Sequence, residues 1–272
     1  MRIPWNIHGQ TVVVPSLHDL FVLESYRHGE GSQLILAALA GERHAALFGL
    51  SKSTDEIYSR MRTPAVPLIW LYRWRSVIRG GFQFLGSRIG FTPGRSVVTG
   101  TMRIKEFEIL HTDTPSDQML NEALQIKPLQ PVFPDWDLAS YSWRFFHKDG
   151  PFNFLLIARR ANLLVGRSVV SLGVRRGIVT ARIVDFLAED ESSRDVLAQA
   201  IETLLSRLRV PFSMFVTSSS QLAQCFLHHR WKLRKDAPGA RWFARKRDVN
   251  PQELFVSGGT WDFGCDLSLE HR

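Results

Sequence analysis

Two stretches of this chain run through the same order of pattern: strand, helix, strand, helix, strand, over 17–74 and again over 178–246. A hydrophobic period that switches between two and 3.6 in this order calls for a sheet covered by helices, and its recurrence calls for two such layers on one plan. In the first stretch, Thr11 to Leu23 reads as extended with a bend at Pro15. A turn Arg27-His28-Gly29-Glu30-Gly31 leads to an apolar helix from Ser32 to Leu39, a strand from Ala45 to Leu50, and a capping box Ser53-Thr54-Asp55-Glu56. That box opens a helix carrying Ile57, Tyr58 and Met61, and Val66 to Trp74 closes the series as a strand.

The second stretch has Ile178 to Leu187 as a strand and a helix capped by Ser192 with apolar pairs every four residues from Val196 to Leu208. A strand at Phe212 to Val216, a helix at Ser219 to Trp231 and a strand at Arg241 to Lys246 complete it. Ahead of it lie a helix with Thr114 as N-cap and Pro115 at its first position, a second helix over Leu138 to Phe146, and the start of an antiparallel meander. Residues 79 to 101, rich in Gly and Arg without a clear period, read as the linker, so the expected domains are 1–102 and 103–272.

Composition narrows the function classes. The 272 residues are 44% hydrophobic and 22% charged, an ordinary globular balance. The net charge of +8 favours anionic partners, but it is spread along the chain, with +5 in residues 1–100 and +3 in the rest. No Lys/Arg run of nucleic-acid-tail length occurs, so no nucleic-acid partner is expected. Cys225 and Cys265 read as free thiols with no His cluster placed to complete a metal site, and no metal is expected. His228-His229 reads as a solvated helix end. With no apolar leader and no run of 18 apolar residues, the expected protein has no membrane span and is cytoplasmic.

The longer order, a strand and two helices before three strands and then helix, strand, helix, strand, resembles the GNAT superfamily. The segment LHDLFVLESYRHGEGSQLI looks like that family's fourth strand, pyrophosphate loop and third helix, and AALFGLSKSTDEIYSRM like the strand and helix after them. YSWRFF and ELFVSGGTWDFGCDL resemble segments of tandem GNAT proteins found with bacterial polysaccharide biosynthesis. The resemblance implies an α/β fold of mixed sheets in two GNAT-like repeats, the first truncated at its N-terminus, the second complete but degenerate. It also implies transfer of an acyl group from acetyl-CoA or another acyl-CoA to an amine or hydroxyl, with a cell-surface sugar or its precursor as acceptor.

On that resemblance the cofactor-binding set is Arg27, His28, Gly29, Gly31 and Ser32. A glycine turn entering a helix aims free backbone N–H groups and the positive end of the helix at an anion. The spacing Arg27-x-Gly29-x-Gly31 is one residue shorter than the family's pattern. Tyr58 stands where the family places a general acid for the departing thiolate, and Asp19 where a base would take the acceptor's proton. The matching turn of the later repeat, Ala188-Glu189-Asp190-Glu191-Ser192-Ser193, carries three carboxylates and would repel a pyrophosphate. The plainer alternatives are an ordinary strand-to-helix turn, a core tyrosine and a surface carboxylate. Two rival functions stay open: a non-catalytic GNAT-fold binding module, and a FemAB-like aminoacyl transferase using charged tRNA. The incomplete first repeat calls for cover from the second repeat or another chain, as in a homo-oligomer.

Overall fold

The computed structural model describes residues 2–17, 30–50, 52–88, 99–147, 152–235, 239–245 and 248–256. In chain order the elements are β1 (Arg2–Ile7), β2 (Gln10–Leu17), α1 (Glu30–Leu39), β3 (His44–Leu50), α2 (Lys52–Arg60), β4 (Ile69–Trp74) and α3 (Val77–Arg88). Next come β5 (Gly100–Ile104), β6 (Phe107–Thr112), α4 (Asp117–Ala123), β7 (Val132–Pro134), α5 (Leu138–Phe146) and β8 (Phe152–Arg160). The last are β9 (Leu163–Arg175), β10 (Ile178–Ala188), α6 (Glu191–Arg207), β11 (Phe212–Thr217), α7 (Ser220–His228), β12 (Lys232–Leu233) and β13 (Gly239–Ala244).

The chain divides into two compact units: residues 1–68, 129–135 and 236–256, and residues 69–128, 136–235 and 257–272. In the first, the described strands form a sheet in the order β13-β3-β2-β1-β7. The β1–β2 hairpin closes through His8 and Gly9, both at positive φ, and Pro4 is accommodated because its far neighbour is the short β7, which begins to pair only at Trp5. Trp5 and Trp242 meet edge to face with ring centroids 4.8 Å apart, and Ile3, Val14 and Phe48 of the same unit are buried as well.

In the second unit the sheet order is β12-β4-β11-β10-β9-β8-β6-β5. Two-residue turns at Ala161-Asn162 and Arg176-Gly177, all four residues at positive φ, set the tight hairpins of β8–β9 and β9–β10. Helices cover both faces. Gly166 of β9 faces α6, where an added Cβ would meet Leu197 Cδ2 at 3.3 Å, while the next residue, Arg167, reaches the carbonyls of Ala123 and Ile126 at the end of α4 on the other side. The stripe Val196, Leu197, Ala200, Ile201, Leu204 and Leu205 of α6 is buried, as its period predicts.

Several sequence expectations are corrected. Chain order assigns the strand read at 66–74 to the first sheet and that at 241–246 to the second; the described strands there, β4 and β13, lie in the opposite sheets. β4 pairs antiparallel with β11 over Ile69↔Thr217 to Trp74↔Phe212, and β13 pairs antiparallel with β3 over Arg241↔Leu47 to Ala244↔His44. A period of two marks a strand but not its partner. Much of the expected linker is helix α3, and the β5–β6 hairpin starts where the linker is expected to end. Helix α6 is capped by Asp190 rather than Ser192, α4 by Ser116 rather than Thr114, and α2 begins at Lys52, so Ser53 lies inside it.

Candidate functional site

Each unit contains one parallel strand pair followed by a helix. In the second, β10 runs beside β11 from Thr180↔Phe212 to Ile183↔Phe215, and the register of β10 against β9 slips between Ile183 and Asp185. An extra residue in one strand bends it and re-aims the side chains beyond the bend. Both strands then continue, β10 to Ala188 and β11 to Thr217, without pairing to each other. In the first unit β2 runs beside β3 at Ser16↔Ala46 and Leu17↔Leu47. Ends of parallel strands, where the next helix begins, are the usual place for a ligand in such sheets.

Two solved structures share this architecture. Saccharomyces cerevisiae N-myristoyltransferase with bound myristoyl-CoA aligns with a TM-score of 0.57 at 9% identity, over 94% of this chain and 68% of that one. A tandem GNAT protein from the clavulanic acid biosynthesis pathway aligns at 0.50 with 12% identity, over 84% of this chain and 74% of that one. This is a GNAT-like fold. No family model matches the sequence, and no curated protein does.

The two GNAT-like units differ at the helix that comes after β2 or β10. At the start of α6, Asp190 occupies the helix N-terminus with its own carboxylate: it accepts the Ser193 backbone N–H at 2.7 Å and the Ser193 hydroxyl at 2.5 Å, and pairs with Arg160 at 3.0 Å. These bonds, the Ser193 hydroxyl foremost, hold its carboxyl down to about 2. The strand ends are filled as well. Phe215, the last β11 residue paired with β10, packs on Phe226 at 4.7 Å, and Phe186 meets both from β10 at 6.0 and 5.2 Å.

At the first unit's parallel pair, α1 begins at Glu30, so Gly31 and Ser32 fall in its first turn, where backbone N–H groups have no partner within the helix. Arg27, His28, Gly29 and Asp19 lie outside the described residues. Tyr58 is within them. It is buried on the inner face of α2 in a cluster with Leu39, Ala45 and Leu47, flanked by Ile57, Met61 and Phe243. Leu47 is the last described β3 residue in register with β2. Burial raises the Tyr58 hydroxyl above its usual value, so it carries its proton at neutral pH.

The group that holds α2 in place comes from the far end of the chain. Arg241 of β13 forks onto both oxygens of Asp55 at 2.7 and 3.1 Å, and its third nitrogen donates to the Thr63 carbonyl just beyond the helix. Sequence reasoning places Asp55 in a capping box and misses this clamp, since nothing local pairs residues 186 positions apart.

A second group that the sequence does not foretell joins α6 and α7. Asp195, Cys225 and His229 bring one carboxylate oxygen, the thiol and one ring nitrogen within 4.8 Å of one another. His229 Nε2 lies 2.9 Å from Asp195 Oδ1, so His229 is not simply a solvated helix end. Burial first, and Asp195 second, push the Cys225 thiol up to about 12.

Proposed function

We propose that this protein is an acyl-CoA-dependent acyltransferase whose cofactor site lies in the first unit alone. The observation that carries this is the asymmetry of the two helix N-termini: Asp190 caps that of α6 with its own carboxylate, while the sequence that enters α1 offers Arg27, Gly29 and Gly31. Arg27, His28, Gly29, Gly31 and Ser32 bind the pyrophosphate of the substrate. The acceptor's amine or hydroxyl attacks the thioester carbonyl, the C–S bond breaks, and the thiolate takes its proton from Tyr58 while Asp19 takes the acceptor's proton. The place of Tyr58 on α2, packed beside Leu47 where the pairing of β2 with β3 ends, supports the first of these roles. The acceptor is a cell-surface sugar or its precursor, on the strength of the 253–267 segment's resemblance, and the reaction runs in the cytoplasm.

Calorimetry of the intact chain against CoA and acetyl-CoA tests the site. Binding is expected in the wild type, abolished by bulky replacements at Gly29 and Gly31, and unchanged by Glu189→Ala and Glu191→Ala. Absence of binding at millimolar CoA would instead assign the protein to the non-catalytic modules of this fold. For the chemistry, Tyr58→Phe should lower acetyl-CoA hydrolysis by roughly 10²-fold at nearly constant Tm. Unaltered hydrolysis would return Tyr58 to the core.

A further inference from the structure

Helix α3 turns its apolar side outward. At about 100° per residue, Val77, Gly81, Leu85, Ile78 and Phe82 succeed one another around an arc of about 140°. Its large side chains are exposed, Val77 by 70%, Ile78 by 76%, Phe82 by 72% and Leu85 by 61%. The other side does the packing. Gly80 sits so close to Trp74 that an added Cβ would lie 3.0 Å from its ring, with Pro211 next to it, and Gln83 Oε1 accepts the Val179 backbone N–H at 3.0 Å. Gly80, Gln83 and the half-buried Phe84 are its less exposed residues, while four larger hydrophobic side chains face water, more than the outer face of a helix that covers a core carries. Apolar area shown in this way marks an interaction surface.

The charge of the chain on either side of it says what kind. Within the same unit, from Ile69 to Lys105, the sequence has no Asp or Glu and seven Lys or Arg. Arg73 and Arg75 are engaged by Glu202 at 2.9 and 2.5 Å. The others include Arg79, exposed on α3 itself, and Arg88 in its last turn. No described helix is long and apolar enough to cross a membrane.

We propose that α3 lies in the headgroup boundary of an anionic lipid bilayer, its 77–85 arc among the acyl chains and Arg79 on lipid phosphates. A nucleic acid would suit the cations but leave the apolar arc in water. A second copy would cover the arc but set two acid-free stretches of the same sign against each other.

Co-sedimentation of the full chain with phosphatidylcholine vesicles, with and without phosphatidylglycerol, is the test. Binding is expected only with phosphatidylglycerol, weakened by raised salt. Replacing Ile78 and Phe82 together by serine should lower the partition about tenfold or more, with Tm unchanged because both side chains are exposed. Three results would overturn the proposal: no sedimentation with anionic vesicles; equal partition of the double variant; or a dimer in the wild type that the double variant converts to monomer, which assigns the arc to a second copy.

Discussion

Arg167 is a cation with almost no water around it, 4% exposed beside an Asp185 that is 5% exposed. It is stable there because its donors are used: Nε reaches Asp185 at 2.9 Å, and Nη1 reaches the Ala123 and Ile126 carbonyls at 2.7 and 3.1 Å. Tyr141 donates to the same carboxylate at 2.7 Å. Removing one member strands the other's charge, so Arg167→Met should cost roughly 3–5 kcal/mol in urea unfolding. Two buried histidines make a different demand. His111, with neither ring nitrogen bonded among the described residues, is pushed below its usual value by burial and then by Arg207. His44 is pushed down by burial and further by Arg43, against the pull of Asp248. The unfolded chain takes up protons on both at about pH 6.5, while the folded one resists until lower pH. Stability is therefore full above that value and is lost as pH falls through it, and Tm should drop between about pH 7.5 and 5.5. His111→Leu should flatten that drop. Cys225, protonated at neutral pH, should label with iodoacetamide far more slowly than an unfolded-chain control, read by mass spectrometry of its own peptide. None of these roles is legible in the sequence, where Arg167 is one charge in a strand and Asp185 another; they arise from two adjacent strands and the helix above them.

Elements are more legible than their limits. The meander, α5, α6 and α7 can be read from period and length, because one face or both must be apolar wherever these elements are buried. Helix α3 escapes such a reading because Gly80, Gly81 and Gly86 look like loop residues; at Gly80 the reason is contact, since Trp74 leaves no room for a side chain. The cap of α6 lies two positions from the expected one. Four consecutive residues, Asp190 to Ser193, all have side chains with an oxygen acceptor, and only the backbone turn selects Asp190 with Ser193 returning its bond. Asp190→Ala should cost about 1 kcal/mol through lost capping, seen as a lower Tm. In the candidate site the helices α1 and α2 are legible in the sequence, but the Arg241 clamp on α2 is not.

At the scale of the whole molecule, the two sheets are not closed by neighbouring segments. β3 ends at Leu50 and its edge partner β13 begins at Gly239, while β4, next in the chain after α2, enters the other sheet. Separate expression of 1–102 and 103–272 would take β7 and β13 from the first sheet and β4 from the second. Neither fragment should show native near-ultraviolet dichroism alone, and a well-folded 1–102 monomer would contradict this account. During synthesis the same crossing becomes a matter of time. At about 5–20 residues per second, the β3 edge waits roughly 10 to 40 s on the ribosome before the strand that completes its sheet has been made. For that interval the nascent chain presents an open strand, a template for the wrong partner. The helix carrying Tyr58 waits for its Arg241 clamp over the same interval, so stalled or prematurely terminated translation yields no stable first unit but a substrate for chaperones and proteases.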